Sequence, residues 1–514
     1  MRSNSALLAA LVWAGAWAGG AAAQAPLSAI DWLEEMDTVA ITPDAPAQGD
    51  APGGADRPDV TVTPLGAPRA DSTGLLPGTT TGLPRTLWGV SATATLAGYL
   101  ERLPERPLPA IQALYYTLLL AEADAPPDSS DAAPFLRARL AALRRFGAVE
   151  PALALVERAG GARPALFDAW FDLALLDGRE DPACAALAAA PHIGSDLRAR
   201  VYCLARTGNW ETAALILHAA EASGAISPSD VTLLALYLEP ELIEDVPPPA
   251  PPQDMTPLRF RLFESIGAPL GTRDLPRAYA MADLRGTAGW KAEIVAAERL
   301  AQTGAVAASR LFGLYTARRP AASGGVWDRV AAVQALDRAL APGADPGALA
   351  EALPAAWDSA RAVGLETVLS EIFAERLLAL PALPEPLVPR AAEMVLLSPL
   401  HARVTEIAPP TGPRLRLLAG IAAGTPQQAD AETRLQSAIV AGFAATGAAP
   451  EHQALIAGNR LGEAILAAAA LLDDGDGRAA PSAVRAGIAT LRAAGLEETA
   501  RRAALQIVLL GPDR

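Results

Sequence analysis

The sequence predicts an all-α fold: a superhelix of stacked helical hairpins (an α-solenoid), preceded by a signal peptide and a disordered tether. Apolar residues recur at helical spacing over most of the 514 residues, and no convincing stretch alternates apolar with polar residues. Hydrophobic residues make up 51% of the chain and many are alanine, which favours closely packed helices over strands. A motif that repeats about every 30 residues supplies the third observation.

The repeated motif is a glycine that ends an apolar run and is followed five positions later by alanine. Glycine suits the left-handed residue that ends many helices, and alanine lets a second helix approach the first closely. The spacing of 31 and then 30 residues predicts consecutive helical hairpins. The three pairs are Gly147 with Ala152, Gly178 with Ala183, and Gly208 with Ala213.

These positions resemble the tetratricopeptide repeat, in which an aromatic or apolar residue follows the glycine by two and small and large apolar residues alternate beyond it. The second copy has Glu180 in the aromatic position, and the first-helix tryptophan of the family is missing. The resemblance covers 139–224 well and implies a curved stack that binds a partner in its groove. A non-repeating helical bundle with glycine caps is the alternative. The best copy carries Leu204, Gly208, Trp210, Ala213, Leu217 and Ala220; the first carries Gly147, Val149, Ala152, Val156 and Ala159.

Residues 1–25 have the pattern of a secretory signal peptide. Arg2 precedes an apolar stretch, and small residues near Ala23 and Ala25 form a cleavage site. The stretch is short for a membrane span, although an uncleaved anchor is the alternative. No later segment of the mature chain is predicted to span a membrane. The sequence therefore predicts export, with the periplasm of a bacterium as the destination.

Residues 26–86 are predicted to form a disordered tether because Pro, Gly, Asp and Thr dominate after residue 42. Within the tether, 74–83 could lie extended along the helical body. A short amphipathic helix is predicted over 28–40, with Ile30, Trp32 and Leu33 on its apolar side. We expect these three residues to bind either a partner or the protein's own body.

The remaining chain is divided into two helical-repeat domains, 87–245 and 257–514. A proline-rich spacer over 246–256 separates them, since its prolines exclude a helix. In the second domain one long helix is predicted over 451–472.

Cys184 and Cys203 are the only cysteines, and the repeat frame places them on adjacent helices. An oxidising compartment would let them form a disulfide, with two free thiols as the alternative.

Catalytic and metal sites are not predicted. The four histidines lack the spacing of zinc ligands, and no nucleophile motif or cofactor-binding loop is present. The net charge of −15 disfavours nucleic acid as a partner. The alanine-rich helices resemble the superhelix of soluble lytic transglycosylases. The dipeptide Glu264-Ser265 is not followed by that family's catalytic motif, so the resemblance does not extend to its catalytic domain.

The sequence thus predicts a non-enzymatic, exported scaffold or adaptor in cell-envelope assembly. Its expected partner is a periplasmic or envelope protein segment, or peptidoglycan, bound along the first helices of the repeats. Arg198, Tyr202 and Arg206 are the candidate groove residues, although such an aromatic could equally belong to the core. The alternative function is a peptidoglycan-active enzyme or a regulatory subunit of a lytic transglycosylase-like system.

Overall fold

The computed structural model describes residues 69–473 and 479–511. This part of the chain contains 25 α-helices and no strand, which confirms the all-α class. Its single β-bridge joins Leu76 to Ala121. The predicted signal peptide and the helix predicted over 28–40 lie outside the described residues.

Ten helices precede the proline-rich segment, and most of them pack on the helix that follows them along the chain. They are α1 (Gly78–Thr81), α2 (Thr93–Glu101), α3 (Pro109–Leu120), α4 (Pro134–Phe146), α5 (Val149–Arg158), α6 (Phe167–Asp177), α7 (Asp181–Ala189), α8 (Leu197–Arg206), α9 (Trp210–Ala222) and α10 (Pro228–Leu238).

Fifteen helices follow that segment, several of them beginning with proline at a first-turn position, where its missing N–H costs nothing. They are α11 (Pro257–Ser265), α12 (Ala280–Asp283), α13 (Trp290–Ala301), α14 (Ala308–Thr316), α15 (Val326–Ala339), α16 (Pro346–Arg361), α17 (Glu366–Leu378), α18 (Val388–Leu397), α19 (Val404–Ile407), α20 (Pro413–Ala423), α21 (Arg434–Phe443), α22 (Pro450–Ala457), α23 (Leu461–Leu472), α24 (Pro481–Ala493) and α25 (Glu497–Leu510).

The repeated motif forms three hairpins, α4/α5, α6/α7 and α8/α9. Each glycine adopts a left-handed conformation, with φ between 83° and 87°, at or just after the C-terminus of the first helix. Each alanine five positions later is fully buried in the second helix. The prediction that glycine caps and small residues build hairpins over this region is therefore confirmed in its local geometry. The glycines are Gly147, Gly178 and Gly208, and the alanines are Ala152, Ala183 and Ala213.

The predicted tether, 26–86, extends too far along the chain, because residues 69–86 pack on the helical body. The buried carboxylate of Asp71 accepts a hydrogen bond from the amide of Leu136 in the first turn of α4, at 2.7 Å. The buried guanidinium of Arg139 donates to the carbonyl of Thr73, also at 2.7 Å. Leu75 and Leu76 are buried as well. Composition alone predicted disorder, whereas these few anchors fix the segment.

The proline-rich segment contains no helix between Glu244 and Pro257, as predicted, but it does not separate two independent bodies. Helix α11, which follows it, packs on α10 and on α6. Buried residues from both sides belong to one hydrophobic core. Gly147, at the end of α4, lies against Leu300 of α13. The two halves are therefore one packed unit, in place of the two predicted domains.

The last helix returns to the beginning of the helical body. Helix α25 packs on α3, α18 and α20. The side chain of Gln506 in α25 accepts a hydrogen bond from the amide of Ala110 at 2.8 Å, and Asp473 accepts one from Leu108. These two groups satisfy donors at the first turn of α3, which lacks a capping side chain of its own.

The single helix predicted over 451–472 is two helices, α22 and α23. Asn459 lies between them with φ of 57°, a left-handed conformation that interrupts a helix. The apolar pattern continues across the break, which is why periodicity alone merged the two.

Candidate functional site

The most elaborate polar cluster in the described residues surrounds the carboxylate of Glu180, between α6 and α7. Glu180 is fully buried, and its Oε1 accepts a hydrogen bond from the hydroxyl of Tyr202 at 2.8 Å. The same oxygen lies 3.1 Å from Nε of Arg261 and 3.4 Å from Nη1 of Arg206. A buried charge is costly unless it is paired and hydrogen-bonded. Oε1 meets it through two hydrogen bonds and one ion pair from two other helices, whereas the buried Oε2 has no hydrogen-bond partner among the described residues.

The two arginines of this cluster continue outward to further carboxylates. Arg206 also pairs with Asp181, and Arg261 pairs with Glu264 at 3.2 Å. Burial by itself would lower the pKa of Arg261, but the Glu180 carboxylate and Tyr202 outweigh it and raise that pKa above its ordinary value. The result is a chain of alternating charges that links α7 and α8 to α11.

Burial raises the pKa of the Tyr202 phenol, and the Glu180 carboxylate raises it further. The phenol therefore stays protonated at neutral pH and acts only as a donor to Glu180. The hydrogen bond and ion pairs on Oε1 hold Glu180 between α7, α8 and α11, an arrangement suited to positioning these helices.

A second cluster lies around Asp230, which is buried in α10. Arg259 binds both of its oxygens, at 2.8 and 2.9 Å, and Arg198 approaches one of them at 3.3 Å. Burial would raise the pKa of Asp230, but the hydrogen bonds from Arg259 and Ser227 lower it below its usual value. This cluster joins α8 and α10 to α11 in the same way as the first.

An exposed aromatic surface lies beside the Glu180 cluster. Trp210, the first residue of α9, is 47% exposed, and its ring lies 6.3 Å from that of the partly buried Tyr237. Tyr237 in turn stacks on Tyr202 with ring centroids 5.1 Å apart. Arg206 of the cluster precedes Trp210 by four residues at the C-terminus of α8, and its side chain is partly exposed. We call Trp210, Tyr237 and Arg206 the Trp210 surface.

The predicted groove residues divide into two groups. Tyr202 is a core residue with no exposed surface, so its assignment to a partner-binding groove is corrected. Arg198 and Arg206 keep partial exposure, 28% and 31% of their side chains, while both make ion pairs within the chain. Ile30, Trp32 and Leu33 lie outside the described residues.

The disulfide predicted between Cys184 and Cys203 is confirmed. It joins α7 to α8, its Cα atoms lie 4.8 Å apart, and both residues are buried. Cys203 is the neighbour of Tyr202, and Cys184 lies one turn after Glu180. The disulfide therefore holds together the two helices that supply the centre of the Glu180 cluster.

Glu264, the residue of the rejected transglycosylase-like dipeptide, has both carboxylate oxygens occupied. Arg261 contacts one oxygen and Arg285 the other. Within 69–473 and 479–511, no three or more His, Cys, Asp or Glu side chains are grouped so as to hold a metal ion. None of the helices in the same ranges is both long and apolar enough to cross a membrane.

In comparisons with known proteins, no family model, no curated protein and no solved structure matches the chain.

Sequence reasoning missed Glu180 as the centre of a cluster and Trp210 as a surface residue. Both occupy the aromatic position of the repeat motif, where the family pattern predicts a packed side chain. A charged residue in that position of the second copy was the available signal for a buried ion pair. Nothing in the pattern indicates that the corresponding tryptophan of the third copy is exposed.

Proposed function

We propose that the protein is an exported helical-repeat adaptor of the bacterial cell envelope, which binds a segment of a partner protein at the Trp210 surface. The observation that carries the proposal is the exposed tryptophan supported from below by a tyrosine and bordered by an arginine. Trp, Tyr and Arg are the residues most enriched at the energetic centres of protein interfaces. The consecutive hairpins over 134–222 support the repeat architecture that such adaptors use.

The Trp210 surface is suited to this role because its supports are rigid. Tyr237 stacks on the buried Tyr202, and Arg206 is held by Asp181 and Glu180. Little side-chain entropy is then lost when a partner binds, which favours affinity. An apolar side chain of the partner would cover Trp210, and a carbonyl or carboxylate would accept from the free N–H groups of Arg206.

Export to the periplasm is supported by the pattern of residues 1–25 and by the disulfide. Disulfides persist in oxidising compartments such as the periplasm and are rare in the cytosol. The function needs no catalytic group, so we propose a binding protein that is not an enzyme.

A photo-crosslinking experiment tests the proposal. A photoreactive amino acid replaces Trp210 in the mature chain, and a matched control places it at Val90, which is 62% exposed. After irradiation with the periplasmic fraction, we expect a crosslinked partner peptide at position 210 and none at position 90. Tyr237→Ala, introduced into the crosslinker variant at 210, should abolish the adduct.

Three outcomes contradict the proposal. An adduct that carries only peptidoglycan fragments would favour the glycan-binding alternative. Equal crosslinking at positions 210 and 90, or an adduct that survives Tyr237→Ala, would show that the Trp210 surface has no specific role.

A further inference from the structure

A second surface, distant in sequence from the Trp210 surface, is an open groove where the loop after α14 meets α15. The cavity has a volume of about 890 Å³. Arg318 and Arg319 line it from the loop, and Trp327 and Arg338 line it from α15. We call these four residues the arginine groove.

The arginine groove carries positive charge that its own acidic residues do not neutralise. Arg318, Arg319 and Arg338 are exposed and take part in none of the ion pairs found among the described residues. Two carboxylates also line the cavity, one fewer than the three arginines. Asp328 accepts from the amide of Gly325 at 3.0 Å, and Asp337 accepts from Arg376 at 2.6 Å. Three unpaired arginines in one cavity are notable in a chain with a net charge of −15.

The walls of the groove are held in place by hydrogen bonds and ring contacts. The side chain of Gln334 donates to the carbonyls of Tyr315 and Arg318, each at 2.7 Å, and so fixes the start of the loop. The ring of Trp327 lies 4.8 Å from that of Trp290, whose indole N–H donates to the carbonyl of Leu314. An aromatic wall is thus presented beside the three guanidinium groups.

The chain itself contains a segment with the complementary chemistry. Residues 28–40 include four acidic residues and no basic one, together with Trp32, Leu33 and Met36. The acidic residues are Asp31, Glu34, Glu35 and Asp37. Carboxylates pair with guanidinium groups through strong, charge-assisted hydrogen bonds, and arginine also stacks on tryptophan.

The connection to the body is long enough for this segment to reach the groove. Residues 41–68 lie between it and Arg69, and an extended chain spans at most about 3.3–3.6 Å per residue, so the reach is roughly 90–100 Å. Because the segment and the groove belong to one chain, the segment has a local concentration at the groove on the order of millimolar.

We propose that residues 28–40 bind in the arginine groove of the same chain. The carboxylates of Glu34 and Glu35 pair with Arg318 and Arg319, and the apolar side of the segment packs against Trp327. This interaction is independent of the Trp210 surface and of the partner proposed for it. The N-terminal segment then occupies the groove, and a more acidic ligand would have to displace it.

Amide hydrogen exchange on the full mature chain, with charge reversal on either side, tests the proposal. In the unaltered protein we expect residues 28–40 to exchange roughly tenfold more slowly than in the variant Arg318→Glu/Arg319→Glu, as for a docked state favoured by a factor of ten. The variant Glu34→Arg/Glu35→Arg should lose the same protection. Combining all four substitutions should restore it, because the charges are complementary again.

The control for general charge effects is Arg106→Glu/Arg273→Glu, which reverses two exposed arginines outside the groove and should leave the protection unchanged. Protection that survives reversal in the groove, or that falls equally in the control, would overturn the proposal. Failure of the four-fold variant to regain protection would do so as well.

A labelled peptide of residues 28–40 separates this segment from other anionic occupants. It should bind the Glu34→Arg/Glu35→Arg protein, in which the groove is vacated, and should not bind the Arg318→Glu/Arg319→Glu protein. Equal displacement by inorganic phosphate or by a polyglutamate peptide of the same length would show a general anion site and overturn the assignment to residues 28–40.

Discussion

The hydroxyl of Tyr202 donates a hydrogen bond to Oε1 of Glu180 over 2.8 Å, and both side chains are fully buried. The same carboxylate oxygen pairs with Arg206 of the third hairpin and Arg261 of α11. One buried acid thus connects the repeat region to the helix beyond the proline-rich segment. The repeat position predicts that Arg206 faces a partner. Arg206 also pairs with this buried carboxylate, in addition to its place on the Trp210 surface.

Removing the Tyr202 hydroxyl should destabilise the fold without changing its packing. Tyr202→Phe deletes one donor to a buried carboxylate, so the free energy of unfolding should fall by about 1.5–3 kcal/mol. Urea denaturation measures this change in the free energy of unfolding. Tyr237→Phe is the matched control, because that tyrosine is partly exposed and its hydroxyl has no hydrogen bond among those of the described residues. Equal losses in both variants would contradict a specific role for the buried hydrogen bond.

The ion pair between Glu180 and Arg261 should couple the two sides of the proline-rich segment. In a double-mutant cycle with Glu180→Gln and Arg261→Gln, we expect a coupling energy of about 0.5–3 kcal/mol, because each substitution removes the partner of the other. The exposed pair Arg85–Glu122 serves as the comparison and should give a smaller coupling. Additive effects of the two glutamine substitutions would argue against a link through this pair.

The disulfide should stabilise the repeat region mainly by restricting the unfolded chain. Its cysteines are 19 residues apart, and loops of this size correspond to about 3 kcal/mol in the chain-entropy model. We expect the Cys184→Ala/Cys203→Ala variant to lose a free energy of unfolding of this size. Adding a reductant should destabilise the unaltered protein and leave the variant unchanged. An unaltered protein insensitive to a reductant that demonstrably frees both thiols would oppose this account.

Asp71 should matter for stability although the composition around it predicts disorder. Asp71→Ala leaves the amide of Leu136 and the hydroxyl of Ser129 without their acceptor inside the protein, so a loss of about 1–3 kcal/mol in the free energy of unfolding is expected. Asp131→Ala, at an exposed position, should have little effect. If the two variants were equally stable, residues 69–86 would contribute little to the folded body.

His452 should make the protein less stable in mildly acidic solution. Its ring is buried and bonded to the hydroxyl of Thr490 at 2.8 Å, and burial lowers its pKa below the ordinary value near 6.5, only partly offset by Glu451. A folded-state pKa below the unfolded one means that protonation favours unfolding. The stabilisation is therefore complete above about pH 6.5 and is lost as the pH falls through the folded-state pKa.

Unfolding free energies at pH 7.5 and pH 5 test this effect. His452→Gln should show a smaller decrease between the two pH values than the unaltered protein, whereas His218→Gln, at an exposed position, should show the same decrease as the unaltered protein. A pH dependence that is identical in all three proteins would remove His452 as its source.

The sequence by itself determined the helical class, the three hairpins and the disulfide. These features depend on local rules: glycine at the C-terminus of a helix, alanine where two helices approach, and cysteines on adjacent helices. Each rule acts over at most a few tens of residues, so the pattern of one stretch is sufficient.

Only the tertiary structure decided which polar residues are buried and which aromatic residues are exposed. Glu180 is buried because Arg261, 81 residues away, neutralises it, and residues 69–86 are ordered because Arg139 and Leu136 bind them. Helix α25 likewise completes the first turn of α3 from almost 400 residues away. Such partners are brought together by the packing of distant helices, and periodicity or composition in one stretch contains no information about them.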